Sequence, residues 1–233
     1  VPERGAVSGL RLTPDLTGIR VEVEADGEEF TVSVPLGEGR YVTARGVEGP
    51  VRLDIPQPHL WTPDDPYLYP LTVTTGTDRV ESYFALRTVS TREMGGHTRL
   101  CLNGEPVFLH GVLDQGYFAD GLFLPGEPEE YDRDVLRMKE LGFNTLRKHV
   151  KLEPEAFYYA CDRLGMLVIQ DMVNSGGYDY LRDTVIPNFV SKKRKDVGRG
   201  GSEKRKAFFE RHCLDTVARL QNHPCIVGWT IFN

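Results

Sequence analysis

Near residue 100 the hydrophobic rhythm of the chain changes, and few architectures accommodate both halves. VFLHGV (107–112) is a short apolar run without strict alternation, as expected of a strand covered on both faces. A helical pattern follows, with Tyr131, Val135 and Met138 on one face and Gly142 as its stop. NTLRKHV (144–150) reads as the next strand. Pro154 then occupies a first-turn position, ahead of a stripe of Phe157, Cys161 and Leu164 that ends at Gly165. MLVIQDM (166–172) is a third strand, a helix carries Phe209, Cys213, Thr216 and Leu220, and CIVGWTIFN (225–233) is a fourth strand. Strands alternating with helices imply right-handed βαβ units and a parallel sheet, and four such units make half of an eight-stranded barrel. No GxGxxG or GxxxxGK[ST] is present, so the nucleotide-binding versions of this architecture lose weight.

The first ninety residues have a different period. Ile19, Val21 and Val23 alternate with Arg20, Glu22 and Glu24, and the pattern returns at Phe30, Val32, Val34 and at Val51, Leu53, Ile55. Period two with a polar partner face marks half-buried antiparallel strands, here separated by turn signals such as Asp26-Gly27 and Gly37-Glu38-Gly39. The fold class expected is therefore multidomain β and α/β: an immunoglobulin-like β-sandwich over residues 1–90, then the first four βα units of a (β/α)8 TIM barrel over 91–233.

With 40% hydrophobic and 27% charged residues the chain has an ordinary globular composition, and 233 residues are enough for two domains. A net charge of −6 counts against nucleic acid as a partner, and the basic run Lys192 to Lys195 is poor support for one. No apolar stretch is long enough to span a bilayer, so no membrane role is expected. VPERGAVSGL lacks a basic segment followed by an apolar one; the expectation is a cytoplasmic protein, although a leader upstream would leave no trace. Cys101, Cys161, Cys213 and Cys225 are irregularly spaced and read as free thiols without metal-ligand spacing.

Six segments in this order resemble glycoside hydrolase family 2. WTPDDPYLYPLTV (61–73) is similar to the close of that family's immunoglobulin-like domain, and FALRTVS (84–90) to the linker into its barrel, with Ala85 in place of the usual glycine. LNGEPVFLHGV, GFNTLRKH, YYACDRLGMLVIQD and NHPCIVGWTIFN resemble barrel strands one to four. The resemblance covers residues 56–233, while 1–55 fit by position alone. It implies a sugar-binding jelly roll, the sandwich, and a catalytic barrel that acts on carbohydrate without a cofactor. In that family the acid/base glutamate follows an asparagine at the end of strand four, which corresponds to Asn233, and the nucleophile ends strand seven. The chain is thus expected to hold neither catalytic carboxylate and to hydrolyse nothing as it stands.

A retaining glycosidase needs two carboxyl groups about 5–5.5 Å apart, and barrel sites gather at the carboxyl ends of the strands. Those ends nominate Asp114, Gln115, Arg147, His149, Gln170, Asp171, Trp229 and Asn233. By resemblance, the Asn233 amide would bond the sugar's 2-hydroxyl and Arg147 would sit beneath the nucleophile. Arg147 could equally pair with Asp171. His149 resembles a histidine that touches substrate, although the family's spacing is one residue longer. Asp171 falls where many members carry an acidic pair. Asp114 and Gln115 lie where β-galactosidases place an asparagine and a histidine; the departure puts galactose specificity in doubt and leaves these two as readers of the sugar. Trp229 faces either the barrel interior or the site, as an aromatic platform, whereas Trp61 reads as a packing residue of the sandwich. The polar stretch 173–203 is either a solvated loop or a lid.

Two other classes stay open: a different sugar-cleaving barrel joined to a sandwich, and a non-catalytic carbohydrate-binding module. Half a barrel would also leave its first and fourth strands as unpaired edges, from which self-association or local disorder is expected.

Overall fold

The computed structural model describes residues 5–47, 49–173, 181, 185, 189 and 203–231. Seven strands come first: β1 (Gly9–Pro14), β2 (Gly18–Glu24), β3 (Phe30–Pro35), β4 (Tyr41–Gly46), β5 (Val51–Asp54), β6 (Tyr69–Thr74) and β7 (Arg79–Phe84). They form two antiparallel sheets, β1-β2-β5 and β4-β3-β6-β7. The alternating residues face one another across the sandwich: Ile19, Val21 and Leu53 from one sheet meet Val32, Val34, Leu71 and Val73 from the other, and all are buried. Fully burying such a side chain stabilises by about 1.5–3 kcal/mol relative to exposure. A one-residue register slip would turn the whole set to solvent, so the alternation fixes the register. Asp26 and Gly27 both take positive φ (53° and 79°), as expected of a tight turn that only short polar residues and glycine adopt readily.

A three-stranded antiparallel sheet follows: β8 (Val89–Met94), β9 (His97–Leu102) and β10 (Glu105–Pro106). The parallel sheet then runs β11 (Gly111–Asp114), β12 (Thr145–Lys148), β13 (Leu167–Asp171) and β14 (Ile226–Thr230) in that spatial order. Between its strands lie α1 (Glu129–Glu140), α2 (Glu155–Leu164) and α3 (Glu203–Leu220). Among the described residues β11 and β14 each pair on one side. Leu146, Val168 and Ile226 lie against Tyr131, Val135, Phe157, Cys161 and Leu220 of the helices.

Two local expectations need correction. The run 107–112 is not the first parallel strand, which begins only at Gly111. Val107 and Leu109 pack against the cluster of Trp61, Leu102 and Leu167, while Phe108 is 79% exposed. Asn144 holds this stretch by donating to the Phe108 carbonyl and accepting from the His110 amide. Pro154 is the N-cap of α2 rather than its first helical residue, because its ψ of 154° is still extended.

Trp61 also sits elsewhere than expected. It is fully buried, but against Ala85, Leu102 and Leu167, so it packs the junction of sandwich and parallel sheet rather than the sandwich core. Its indole N–H donates to the Asp162 carbonyl at 2.8 Å. Gly165 closes the same junction. Its φ of 74° suits glycine, and a Cβ there would lie 2.2 Å from the Pro63 carbonyl oxygen. The Asp162 carboxylate accepts hydrogen bonds from Tyr83 Oη, His223 Nδ1 and the Cys225 amide, at 2.7, 2.7 and 2.8 Å. Burial and the Asp162 carboxylate together push the Tyr83 phenol well above its usual range. Arg87, in the linker, reaches the Ile226 carbonyl at 2.8 Å.

Candidate active site at the strand ends

Because β11 to β14 are parallel, their carboxyl ends lie on one side of the sheet. Alternation then sorts the end residues by face. Arg147 and Asp171 fall on the face away from the helices. Arg147 Nε and Nη2 donate to the two Asp171 oxygens, each at 3.0 Å, a bidentate fork. The Asp171 side chain is 1% exposed and that of Arg147 36%. A carboxylate so buried requires a counter-charge, and the planar guanidinium provides one with matching geometry. The same hydrogen bonds raise the Arg147 pKa above its ordinary value. Arg147→Ala should cost about 1–3 kcal/mol, below a fully buried pair because the arginine is partly solvated. Arg147→Lys should recover only part of it, since an ammonium cannot fork. Urea denaturation of the two variants checks this, and equal stability of Lys and Arg at 147 would show that the fork contributes nothing.

Gln115 and His149 form a second pair. The Gln115 amide nitrogen lies 3.4 Å from His149 Nδ1. The His149 backbone amide donates to the Asp114 carbonyl at 2.9 Å, tying the ends of β11 and β12 together. The next residue, Val150, has φ of 45°, an uncommon conformation for a β-branched residue and a site of backbone strain.

Asp114 is engaged differently from the sugar-reading role expected of it. Its carboxylate accepts from the Gly116 amide at 2.7 Å and from Lys148 Nζ at 2.9 Å. Lys148 is 1% exposed and its ammonium also lies 2.5 Å from Glu153 Oε1, which Lys151 Nζ approaches to 2.8 Å. Tyr131 Oη donates to the other Glu153 oxygen at 3.1 Å. Two lysines and two carboxylates thus balance in a buried cluster behind the strand ends. Sequence reasoning missed Lys148, Lys151 and Glu153. The available signal was parity: Arg147 and Lys148 are adjacent in a strand covered on both faces, so one of the two charges had to point under the helices.

Trp229 is the clearest departure. It pairs in register with Gln170 and packs against the helix-side core, not on the face of Arg147 and Asp171. An irregularity between Val168 and Ile169 sets this parity, since Val168 pairs with Ile226 but Ile169 with Gly228. An aromatic platform at Trp229 therefore does not fit. Gln170, fully buried, accepts from Tyr158 Oη at 2.6 Å and donates to the Lys151 and Asp171 carbonyls, a structural role. Asn233 lies outside the described residues, as does most of the stretch 173–203. All four cysteines are free, and among the described residues no group of three or more His, Cys, Asp or Glu is placed to hold a metal ion. Among the same residues no helix is long and apolar enough to cross a membrane.

A sandwich docked on a parallel βα array, with a half-exposed Arg147 forked to a buried Asp171 at the carboxyl ends of the strands, defines a sandwich-plus-barrel type of protein. The chain belongs to glycosyl hydrolases family 2: that family matches residues 11–87, and its TIM barrel domain matches residues 96–233. It is 26% identical to a beta-galactosidase of Thermoanaerobacter pseudethanolicus over 77% of this chain and 22% of that protein. It is 28% identical to the beta-glucuronidase of Felis catus over 89% of this chain and 30% of that protein. In fold it is similar to Ruminococcus gnavus beta-glucuronidase, with a TM-score of 0.81 and 22% identity over 98% of this chain and 38% of that one. The chain spans about a fifth of the length of the first two curated relatives it matches, which are covered to 22% and 20%.

Proposed function

We propose that the protein carrying this chain is a retaining β-glycosidase that cleaves terminal β-glycosidic bonds by double displacement with two glutamates. The observation that supports this most is the Arg147–Asp171 fork, a preorganised charge pair on the inward face at the carboxyl ends of the strands. A nucleophilic carboxylate brought beside the guanidinium would be favoured in its ionised form by that cation, an effect that Asp171 offsets in part. On this reading His149 and Gln115, at the ends of the neighbouring strands and 3.4 Å apart, meet hydroxyl groups of the sugar. The acid/base carboxylate is assigned to the position directly after Asn233, whose amide would contact the 2-hydroxyl. Residues 1–233 alone are then inactive. The sugar is a galactoside or a glucuronide, the activities named for the relatives.

The test uses the full-length protein and residues 1–233 side by side, with 4-nitrophenyl β-D-galactoside and β-D-glucuronide as substrates. The full-length protein is expected to release 4-nitrophenol from one of them and to give the β-anomer first by NMR. The 233-residue piece is expected to release none. First-formed α-anomer would overturn retention, and hydrolysis by the piece would overturn the placement of both carboxylates outside it.

A further inference from the structure

The buried charge cluster behind the strand ends has a layout that a mere filler of volume would not need. Gln115 stands between Asp114 and Gly116, and the cluster holds both of these neighbours. Lys148 Nζ donates to Asp114 Oδ2 at 2.9 Å, and Lys151 Nζ donates to the Gly116 carbonyl at 2.6 Å. His149 in turn stands between Lys148 and the Val150–Lys151 step. Both lysines converge on one atom, Glu153 Oε1, at 2.5 and 2.8 Å. Gln115 and His149, which meet at 3.4 Å, are therefore each flanked on both sides by groups tied to a single carboxylate.

Glu153 itself is fixed from the helix layer. Tyr131 of α1 donates to Oε2 at 3.1 Å, and the Glu153 amide donates to Tyr158 Oη of α2 at 3.4 Å. Gly116 makes room for this arrangement, since a Cβ there would overlap Glu153 Oε1 and both ammonium groups. The cluster also closes residues 148–153 into a tight loop in which Val150 sits at a φ of 45°. The three converging side chains are at most 5% exposed, so the arrangement depends on no outer surface. Buried ion pairs often stabilise no more than apolar side chains of the same volume. What they add is direction, because charged hydrogen-bonding groups accept few geometries.

We propose that Glu153 is a positioning residue for the reaction: through Lys148 and Lys151 it fixes His149 and Gln115 in the orientation that meets the sugar. This rests on the glycosidase reading above and deepens it with a residue that touches no substrate. Displacing a binding group by about 1 Å can lower a rate by about a hundredfold, so a change buried behind the site is read in turnover.

The test measures kcat/KM of the full-length protein on the accepted 4-nitrophenyl glycoside. Glu153→Gln keeps the shape of the side chain and removes the charge that gathers the lysines. It is expected to lower kcat/KM about tenfold when His149 and Gln115 are present. In a His149→Ala, Gln115→Ala background the same change should lower it by less than about twofold. Partial unfolding would lower both backgrounds by one factor, so only positioning moves their ratio. Val150→Gly serves if Glu153→Gln fails to fold by circular dichroism, because glycine accepts this φ and leaves the charged side chains in place. It loosens the step between Lys151 and His149 and should lower kcat/KM about threefold, again only where His149 and Gln115 are present. Equal falls in the two backgrounds, or a change below about twofold in either variant that folds, would overturn the assignment. Absence of hydrolysis by the unaltered protein would instead overturn the glycosidase reading, and this one with it.

Discussion

Asp162→Ala is expected to lower stability by about 3–5 kcal/mol, a large share of the 5–15 kcal/mol typical of a folded domain. Asp162 is 0% exposed and its carboxylate gathers Tyr83 from the sandwich with His223 and the Cys225 amide from the approach to β14. Alanine would leave a hydroxyl, a ring nitrogen and a backbone N–H facing a cavity, each short of an acceptor. Asp162→Asn keeps one acceptor oxygen for Cys225 and should cost about 1–3 kcal/mol. By contrast Arg219→Ala, which breaks a pair with Glu155 at side-chain exposures of 67% and 61%, should change stability by less than about 1 kcal/mol. The indole of Trp61 reports on the same joint through its bond to the Asp162 carbonyl. The chain has two tryptophans, so a Trp229→Phe background isolates its fluorescence during denaturation. A loss below about 1 kcal/mol for Asp162→Ala would mean that the junction is held by apolar packing alone.

How far the sequence reached follows from which forces act locally. The alternation at Ile19, Val21, Val32 and Val34 reports burial directly, so the sandwich strands were legible. The helical stripes through Tyr131 and Val135 and through Phe157 and Cys161 were legible for the same reason. The pairing of Arg147 with Asp171 was legible as one of two readings, because a charge at a covered strand end needs a counter-charge. Trp229 was not resolved, since its facing depends on a one-residue register irregularity that no composition signals. Trp61 and His223 meet Asp162 across 101 and 61 residues of chain, and pairings so distant in sequence leave no local periodicity. Asp114 was legible as a strand-end carboxylate but not as a partner of Lys148, because that requires knowing that Lys148 turns under the helices.

The buried cluster under the strand ends gives the second large effect, and here the sign of a double substitution carries the argument. Glu153 Oε1 lies between two ammonium groups at 2.5 and 2.8 Å, with its side chain 0% exposed. Glu153→Gln would leave Lys148 and Lys151 buried with Asp114 as the remaining carboxylate of the cluster, at an expected cost of about 3–5 kcal/mol. Lys148→Met alone should also destabilise, because it strips Asp114 and Glu153 of a shared cation while retaining most of the volume beneath Phe157. Combined, the two changes remove one charge of each sign. Lys151 then keeps its carbonyl partners at Gly116 and Phe123, and Asp114 keeps the Gly116 amide. The double variant should therefore be more stable than the sum of the single losses predicts, by about 1–3 kcal/mol. Denaturant titration of all four proteins closes the cycle. Additivity within about 0.5 kcal/mol would show that the lysines and the glutamate act as separate buried groups. Coupling of the expected sign would show that one ionic network ties the loops after β11 and β12 together, and with them Gln115 and His149.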